Sequence, residues 1–216
     1  MFKVSGVESD RLIVFARYPE AGKTKTRLIP ALGATGAAEL YRKMAEKTLA
    51  VAKNLAKTRC SCGAATPSLT IEVWYTGGNL ELMREWLGDG IIYQPQTEGD
   101  LGERMANAFS SAFRTSKQAI LIGTDCPGLD TAGISEAFEQ LQQHELILGP
   151  AVDGGYYLIG LKRIIPELFQ GICWGTSKVL QQTLAIAHQL NLSYSLLPEL
   201  ADIDHPEDLA ILDLHF

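Results

Sequence analysis

The strongest constraint on how this chain can fold is the alternation of short apolar runs, rich in β-branched residues, with stretches of helical period. Residues 12–16 read as a first buried strand. Residues 36–56 put Ala37, Leu40, Met44, Ala45, Thr48, Val51, Ala52 and Leu55 on one face of a long helix. A second strand is expected at 69–75, a short helix at 80–87 closed by Gly88, and a third strand at 91–93. A helix beginning near Leu101 carries Met105, Ala108, Phe109, Ala112 and Phe113, and a central strand follows at 119–122. Ile134, Ala137, Phe138 and Leu141 mark another helix, and strands are expected at 146–148 and 156–159. The pattern closes with a helix at 176–190, a strand at 193–197 and a short helix from Pro206.

Strands without polar alternation, separated by amphipathic helices, belong to a mostly parallel sheet covered on both faces. The helix-free stretch 149–160 adds antiparallel pairing. The expectation is an α/β fold, a three-layer α/β/α sandwich on a mostly parallel mixed sheet, in one domain spanning 1–216. Residues 58–68 read as a surface loop.

A net charge of -6 argues against a nucleic-acid partner, because polymer binders carry a basic stripe, but leaves room for a small phosphorylated ligand. No run approaches the ~20 apolar residues of a membrane span. The first residues are too short and polar for a signal peptide, so the expected compartment is the cytoplasm. Cys60, Cys62, Cys126 and Cys173 read as free thiols, since the Cys60/Cys62 spacing is not that of a zinc site.

Candidate chemistry begins in the loop after the first strand. Arg17, Lys23, Lys25 and Arg27 crowd there around Gly22 and two threonines, in an otherwise acidic protein. Backbone N–H groups and cationic heads converging after a first strand suit phosphate. The triplet Gly22-Lys-Thr24 is not a Walker loop, because Arg17 stands where that motif needs its first glycine. Nor does a G-x-G-x-x-G follow the strand. Asp125 lies just past the central strand, at the edge where ligands of open α/β sheets collect, and a carboxylate there can hold Mg2+ or Mn2+. It could equally cap the turn beginning at Pro127.

Asp204 is placed to N-cap the helix begun by Pro206, with Glu207 and Asp208 favouring its dipole. Asp202 and Asp204, two apart, would share a face in extended chain and could join Asp125 at a metal. Asp153 sits beside Gly154 and Gly155, which reads either as a hairpin turn or as a place where substrate approaches the backbone, Asp153 binding hydroxyls or acting as a base. Trp174, just before a helix, could stack on a ring or simply anchor packing. The histidines 144, 188, 205 and 215 come with no Ser or Cys elbow.

Taken in order along the chain, five segments resemble the nucleotide-diphospho-sugar transferase superfamily, of GT-A type. They are Phe15-Ala-Arg-x-Pro-x-x-Gly-x-x-Lys-Thr-Arg-Leu28, Gly99-Asp-Leu-Gly-Glu-Arg-Met105, Ile122-Gly-Thr-Asp-Cys-Pro127, Asp153-Gly-Gly-Tyr-Tyr157 and Asp202-Ile-Asp-x-Pro-Glu-Asp-Leu209. The pattern is similar to a bacterial glycosyltransferase family associated with radical-SAM and arsenosugar gene clusters. Similar loops occur in guanylyltransferases of molybdenum-cofactor and deazaflavin-cofactor synthesis. The resemblance implies donor phosphates on Arg17, Gly22, Lys25 and Arg27, and a nucleoside near Asp100 and Gly102. It implies a metal on Asp125, with Asp204, or else Asp202, as second ligand. His205 departs from the family pattern, which often has Thr there, and no strict Asp-x-Asp is present.

The implied activity is metal-dependent transfer from a nucleoside-phosphate donor, with Lys25, Asp125 and Asp153 as catalytic candidates. Glycosyl transfer from a nucleotide sugar to a small-molecule acceptor stands first. Nucleotidyl transfer from a nucleoside triphosphate to a small phosphorylated acceptor stands second, and a non-catalytic nucleotide-binding module third.

Overall fold

The computed structural model describes residues 9–61 and 68–214. Cys62 and His215 lie outside them. The chain builds a seven-stranded sheet in the order β3-β2-β1-β4-β6-β5-β7. These strands are β1 (Asp10–Arg17), β2 (Leu69–Thr76), β3 (Ile92–Pro95), β4 (Ala119–Ile122), β5 (Leu146–Pro150), β6 (Tyr156–Leu161) and β7 (Tyr194–Leu196). β1 pairs in parallel with β2 and β4, β2 with β3, and β5 with β7; β6 alone runs antiparallel, to both β4 and β5. The mixed sheet expected from the helix-free stretch is therefore present, and its reversed strand is β6.

Helices α1 (Ile29–Ser61), α2 (Leu80–Leu87), α3 (Leu101–Ala112), α4 (Thr131–Gln140) and α5 (Val179–Gln189) cover the two faces. Leu12, Val14, Ile120, Ile122 and Ile147 of the sheet pack with Leu49 and Leu55 of α1, Met83 of α2 and Phe138 of α4. On the other face Ile13, Leu121, Leu148 and Ile159 pack with Met105 and Phe109 of α3 and Ala187 of α5. Adjacent residues of β1 and β4 thus feed opposite cores, which is why neither strand shows polar alternation. The three-layer α/β/α sandwich on a mixed sheet is as expected. Among the described residues no helix is long and apolar enough to cross a membrane.

The boundaries differ in instructive places. α1 begins at Ile29, ahead of the expected residue 36, and breaks at Gly33 with φ 71°, so the regular helical period is visible only after the break. It also continues to Ser61, so the first residues of the expected 58–68 loop are helical and 62–67 lie outside the described residues.

One buried ion pair fixes β1 against β2. Arg11 Nη1 donates to Glu72 Oε1 at 2.8 Å, Arg11 Nη2 to Thr115 Oγ1 at 2.7 Å, and Trp74 Nε1 to Glu72 Oε2 at 2.8 Å. Both charges are 7% exposed. Removing one partner of a buried pair leaves the other charge uncompensated and costs about 3–5 kcal/mol. Glu72→Ala should therefore lower the unfolding free energy by about that amount, read from the midpoint of a urea titration.

Candidate active site

At the carboxyl ends of β1, β2 and β4 the sheet opens into a cleft of about 830 Å³, with a smaller chamber of about 230 Å³ beside it. The loop after β1 forms one wall. It turns at Gly22 (φ 81°), a backbone region open mainly to glycine, and then presents Lys23, Thr24, Lys25, Thr26 and Arg27 to the larger chamber. Thr24 is buried and stitches the loop together, its hydroxyl donating to Tyr18 O at 3.3 Å and accepting from Glu20 N–H at 3.2 Å. Arg17, at the exposed end of β1, lines the same chamber.

Lys25 is the junction of the site. It adopts φ 48°, ψ 48°, a left-handed conformation that a non-glycine residue enters only when its surroundings hold it there. Its ammonium donates to Ile203 O at 2.6 Å and to Asp204 Oδ1 at 2.6 Å. It also forms an ion pair with Asp125 Oδ1 at 2.7 Å. Arg27 Nη1 reaches Asp204 Oδ2 at 3.1 Å. Two acids far apart in sequence therefore share one buried cation.

The backbone makes this meeting possible. Ile203 N–H donates to Asp125 O at 3.0 Å, tying the carboxyl-terminal segment to the loop after β4. The Ile203 side chain is fully buried among Leu28, Ala37 and Met44. Asp204 does not cap the turn at Pro206, as the sequence suggested. Asp208 Oδ2 accepts from Asp204 N–H (2.9 Å) and His205 N–H (2.6 Å), the amides just ahead of that turn, while the Asp204 carboxylate meets the cations.

The protein-family comparison matches residues 61–176, more than half of the chain, to the family described as "Uncharacterized protein conserved in bacteria (DUF2064)". A crystallised protein of Desulfovibrio desulfuricans described as a "putative nucleotide-diphospho-sugar transferase" is 32% identical, covers 95% of this chain and 86% of its own, and superposes with a TM-score of 0.84. This chain belongs to the DUF2064 family, in the nucleotide-diphospho-sugar transferase superfamily. More distant structures share the fold. A 4-diphosphocytidyl-2C-methyl-D-erythritol synthase of Anaerococcus prevotii is 8% identical, with a TM-score of 0.61 and 96% of each chain covered. Glucosyl-3-phosphoglycerate synthase of Mycobacterium tuberculosis, solved with Mn2+, uridine diphosphate and glucosyl-3-phosphoglycerate, is 11% identical, with a TM-score of 0.55 and coverage of 94% and 75%. No curated protein matches the sequence.

Of the residues singled out in this DUF2064 chain, Arg17, Lys25, Arg27, Asp125, Asp153 and Asp204 all line the larger chamber. Gly22, Asp100 and Gly102 do not. Asp100 caps α3 in a reciprocal box with Glu103: Oδ1 accepts from Glu103 N–H at 2.8 Å, and Glu103 Oε2 accepts from Asp100 N–H at 2.9 Å. Gly102 is packed too closely for any side chain, since a Cβ there would collide with Phe169 O and lie 2.7 Å from Trp174 Nε1. The hairpin reading of Asp153 holds as well. Its Oδ1 accepts from Gly155 N–H at 2.8 Å in the turn joining β5 and β6, and the residue lines both chambers.

Several lining residues escaped the sequence reading. The Tyr41 hydroxyl of α1 accepts Arg17 N–H at 2.7 Å and the Thr124 hydroxyl at 3.0 Å, bracing the β1 loop against the end of β4. Its position on the apolar face of α1, four residues after Ala37, was the available signal. Gln96 and Arg104 build the wall on the β3 side. Gln96 Nε2 donates to Trp74 O at 2.9 Å, and Arg104 Nη1 donates to Gln96 Oε1 at 3.1 Å.

Electrostatics follow from this crowding. Burial alone would lower the Lys25 pKa, but Asp125 and Asp204 together outweigh it and hold the amine charged above its ordinary range. Burial, then Asp125, pushes the Tyr41 hydroxyl up to about 12. Burial, then the nearby acids, likewise pushes the Cys126 thiol up and keeps it protonated. Asp202 is raised by burial and then by Asp153. A carboxyl raised in the folded state opposes folding at neutral pH, where it must ionise. That opposition fades as pH falls through its folded pKa. Asp202→Asn should therefore raise the thermal midpoint at pH 7, and the gain over wild type should shrink as the scan is repeated at progressively lower pH.

Proposed function

We propose that this enzyme transfers a sugar from a nucleotide diphosphate sugar to the hydroxyl of a small acceptor. The observation that carries the reading is the meeting of a cationic loop with a pair of acids at one cleft edge, joined through Lys25. A diphosphate leaving group needs positive charge on its oxygens, and Mg2+ or Mn2+ typically takes one or two carboxylates and fills its remaining positions with phosphate and water. Asp125 and Asp204 fit that requirement. They are hard oxygen donors that line the cleft with part of each carboxylate exposed, and Asp125 keeps its second oxygen beyond the one that meets Lys25. The ion they would hold supplies neutralisation of the charge that develops on the leaving diphosphate.

The chain's own residues do the rest. Arg17, Lys23 and Arg27 meet the donor phosphates, while Lys25 holds the two acids in place. Tyr41 keeps Arg17 at the chamber wall. An acceptor hydroxyl oxygen attacks the sugar carbon that carries the diphosphate. The carbon–oxygen bond breaks, its electron pair leaves with the diphosphate, and the hydroxyl proton passes to Asp153. Nucleotidyl transfer is the reading to set against this one, because four cations in one loop suit a triphosphate. The Lys25 ammonium, however, is already taken up by two acids and a carbonyl oxygen, so less of that charge is free.

A thermal-shift screen of nucleotide sugars against nucleoside triphosphates, with and without Mn2+, tests the proposal. A nucleotide sugar should stabilise the protein in the presence of Mn2+, and Asp125→Ala should abolish the metal-dependent part. Arg27→Ala should weaken binding about 10–100-fold, as expected for losing a charged hydrogen bond. Stabilisation by triphosphates alone with pyrophosphate release on turnover, or binding indifferent to Asp125→Ala, would contradict it.

A further inference from the structure

At the acid pair the cleft changes electrostatic character. The larger chamber carries Arg17, Lys23, Lys25, Arg27 and Arg104. The smaller one shares Asp125, Asp153 and Asp204 with it and adds Asp202, Trp174 and Val179. Among the described residues that line the smaller chamber there is no Lys, Arg or His. The start of α5 lies here, yet its first amides are already spent. Lys178 N–H donates to Thr176 Oγ1, Val179 N–H to Thr176 O and Leu180 N–H to Gly154 O.

We propose that the smaller chamber receives the acceptor, and that this acceptor is a hydroxyl-rich compound without phosphate, seated with a C–H face against Trp174. The proposal rests on the donor occupying the larger chamber, as argued above. Four carboxylates face the acceptor space. Lys25 and Arg27 already offset Asp125 and Asp204, which leaves Asp153 and Asp202 to repel an anion. Carboxylates accept hydrogen bonds from hydroxyl groups, so the same acids that exclude a phosphate hold a polyol.

The apolar wall supplies the other half of the recognition. Trp174 is half-buried, its ring meets Tyr156 edge-on at 6.4 Å between centroids, and it sits against Gly102, where any Cβ would collide. That contact fixes the indole as a flat surface beside the acids. At about 230 Å³ the chamber falls below the usual ~300–1,000 Å³ of whole-ligand pockets, which suits a single ring or a short polyol.

The experiment uses the full chain labelled with 5-fluorotryptophan, with the Trp174 fluorine resonance assigned by Trp174→Phe. The protein is first titrated with GDP, UDP, CDP and ADP in the presence of Mg2+. Failure of all four at this stage speaks against the donor site, independently of the acceptor proposal. With the tightest nucleotide saturating, matched pairs are then added: glycerol and glycerol 3-phosphate, ribose and ribose 5-phosphate, methyl glucoside and glucose 6-phosphate. The expected result is that at least one neutral member shifts the Trp174 resonance at a concentration at least tenfold below its phosphorylated partner. The double variant Asp153→Asn/Asp202→Asn should narrow that gap. The proposal is overturned if the phosphorylated members act at equal or lower concentration, or if no probe moves the Trp174 resonance.

Discussion

The ammonium of Lys25, held within 2.7 Å of both Asp125 and Asp204, is the contact on which the arrangement of this site depends. It joins side chains from three chain segments: the loop after β1, the loop after β4 and the carboxyl-terminal extension. Two carboxylates brought this close would repel each other, and burial would penalise a lone amine. The combination succeeds because each charge offsets the other's desolvation, and because Ile203 O supplies a further oxygen to the amine. The left-handed backbone of Lys25 is the local cost of aiming the side chain inward.

The rest of the fold sets the conditions for that contact. Parallel strands β1 and β4 are neighbours, so their carboxyl ends bring the cationic loop and Asp125 to the same edge. Ile203, buried against α1, anchors the extension that carries Asp204, and Asp208 holds the Asp204 and His205 amides. The antiparallel β5–β6 hairpin brings Asp153 in from the opposite side. The cleft is therefore bounded by acids where its chambers meet and by cations along the β1 loop.

How much of this was legible in the sequence depended on whether the signal was local. Strand and helix periods are local, so the sheet, its covering helices and the reversed pairing after Gly149 could all be read. The cation cluster from Arg17 to Arg27 and the acid after β4 could be read for the same reason. The Lys25–Asp204 pairing spans most of the chain and leaves no trace in spacing. The sequence offered Asp204 either as a cap or as a partner of Asp125 at a metal, and neither reading contained its contact with Lys25. Tyr41 was hidden because a tyrosine on an apolar helix face looks like core, although its hydroxyl braces Arg17. Asp100 and Gly102, implied by resemblance to lie near a nucleoside, serve a helix cap and a close packing contact.

The most direct test is a crystal structure of the protein with Mn2+ and a nucleoside diphosphate that binds it. Anomalous density for the metal is expected on Asp125, Asp204 or both, with the diphosphate against Arg17 and Arg27 and the smaller chamber left open beyond the acids. Density for the nucleotide in the smaller chamber, or a metal bound away from both acids, would contradict this site assignment.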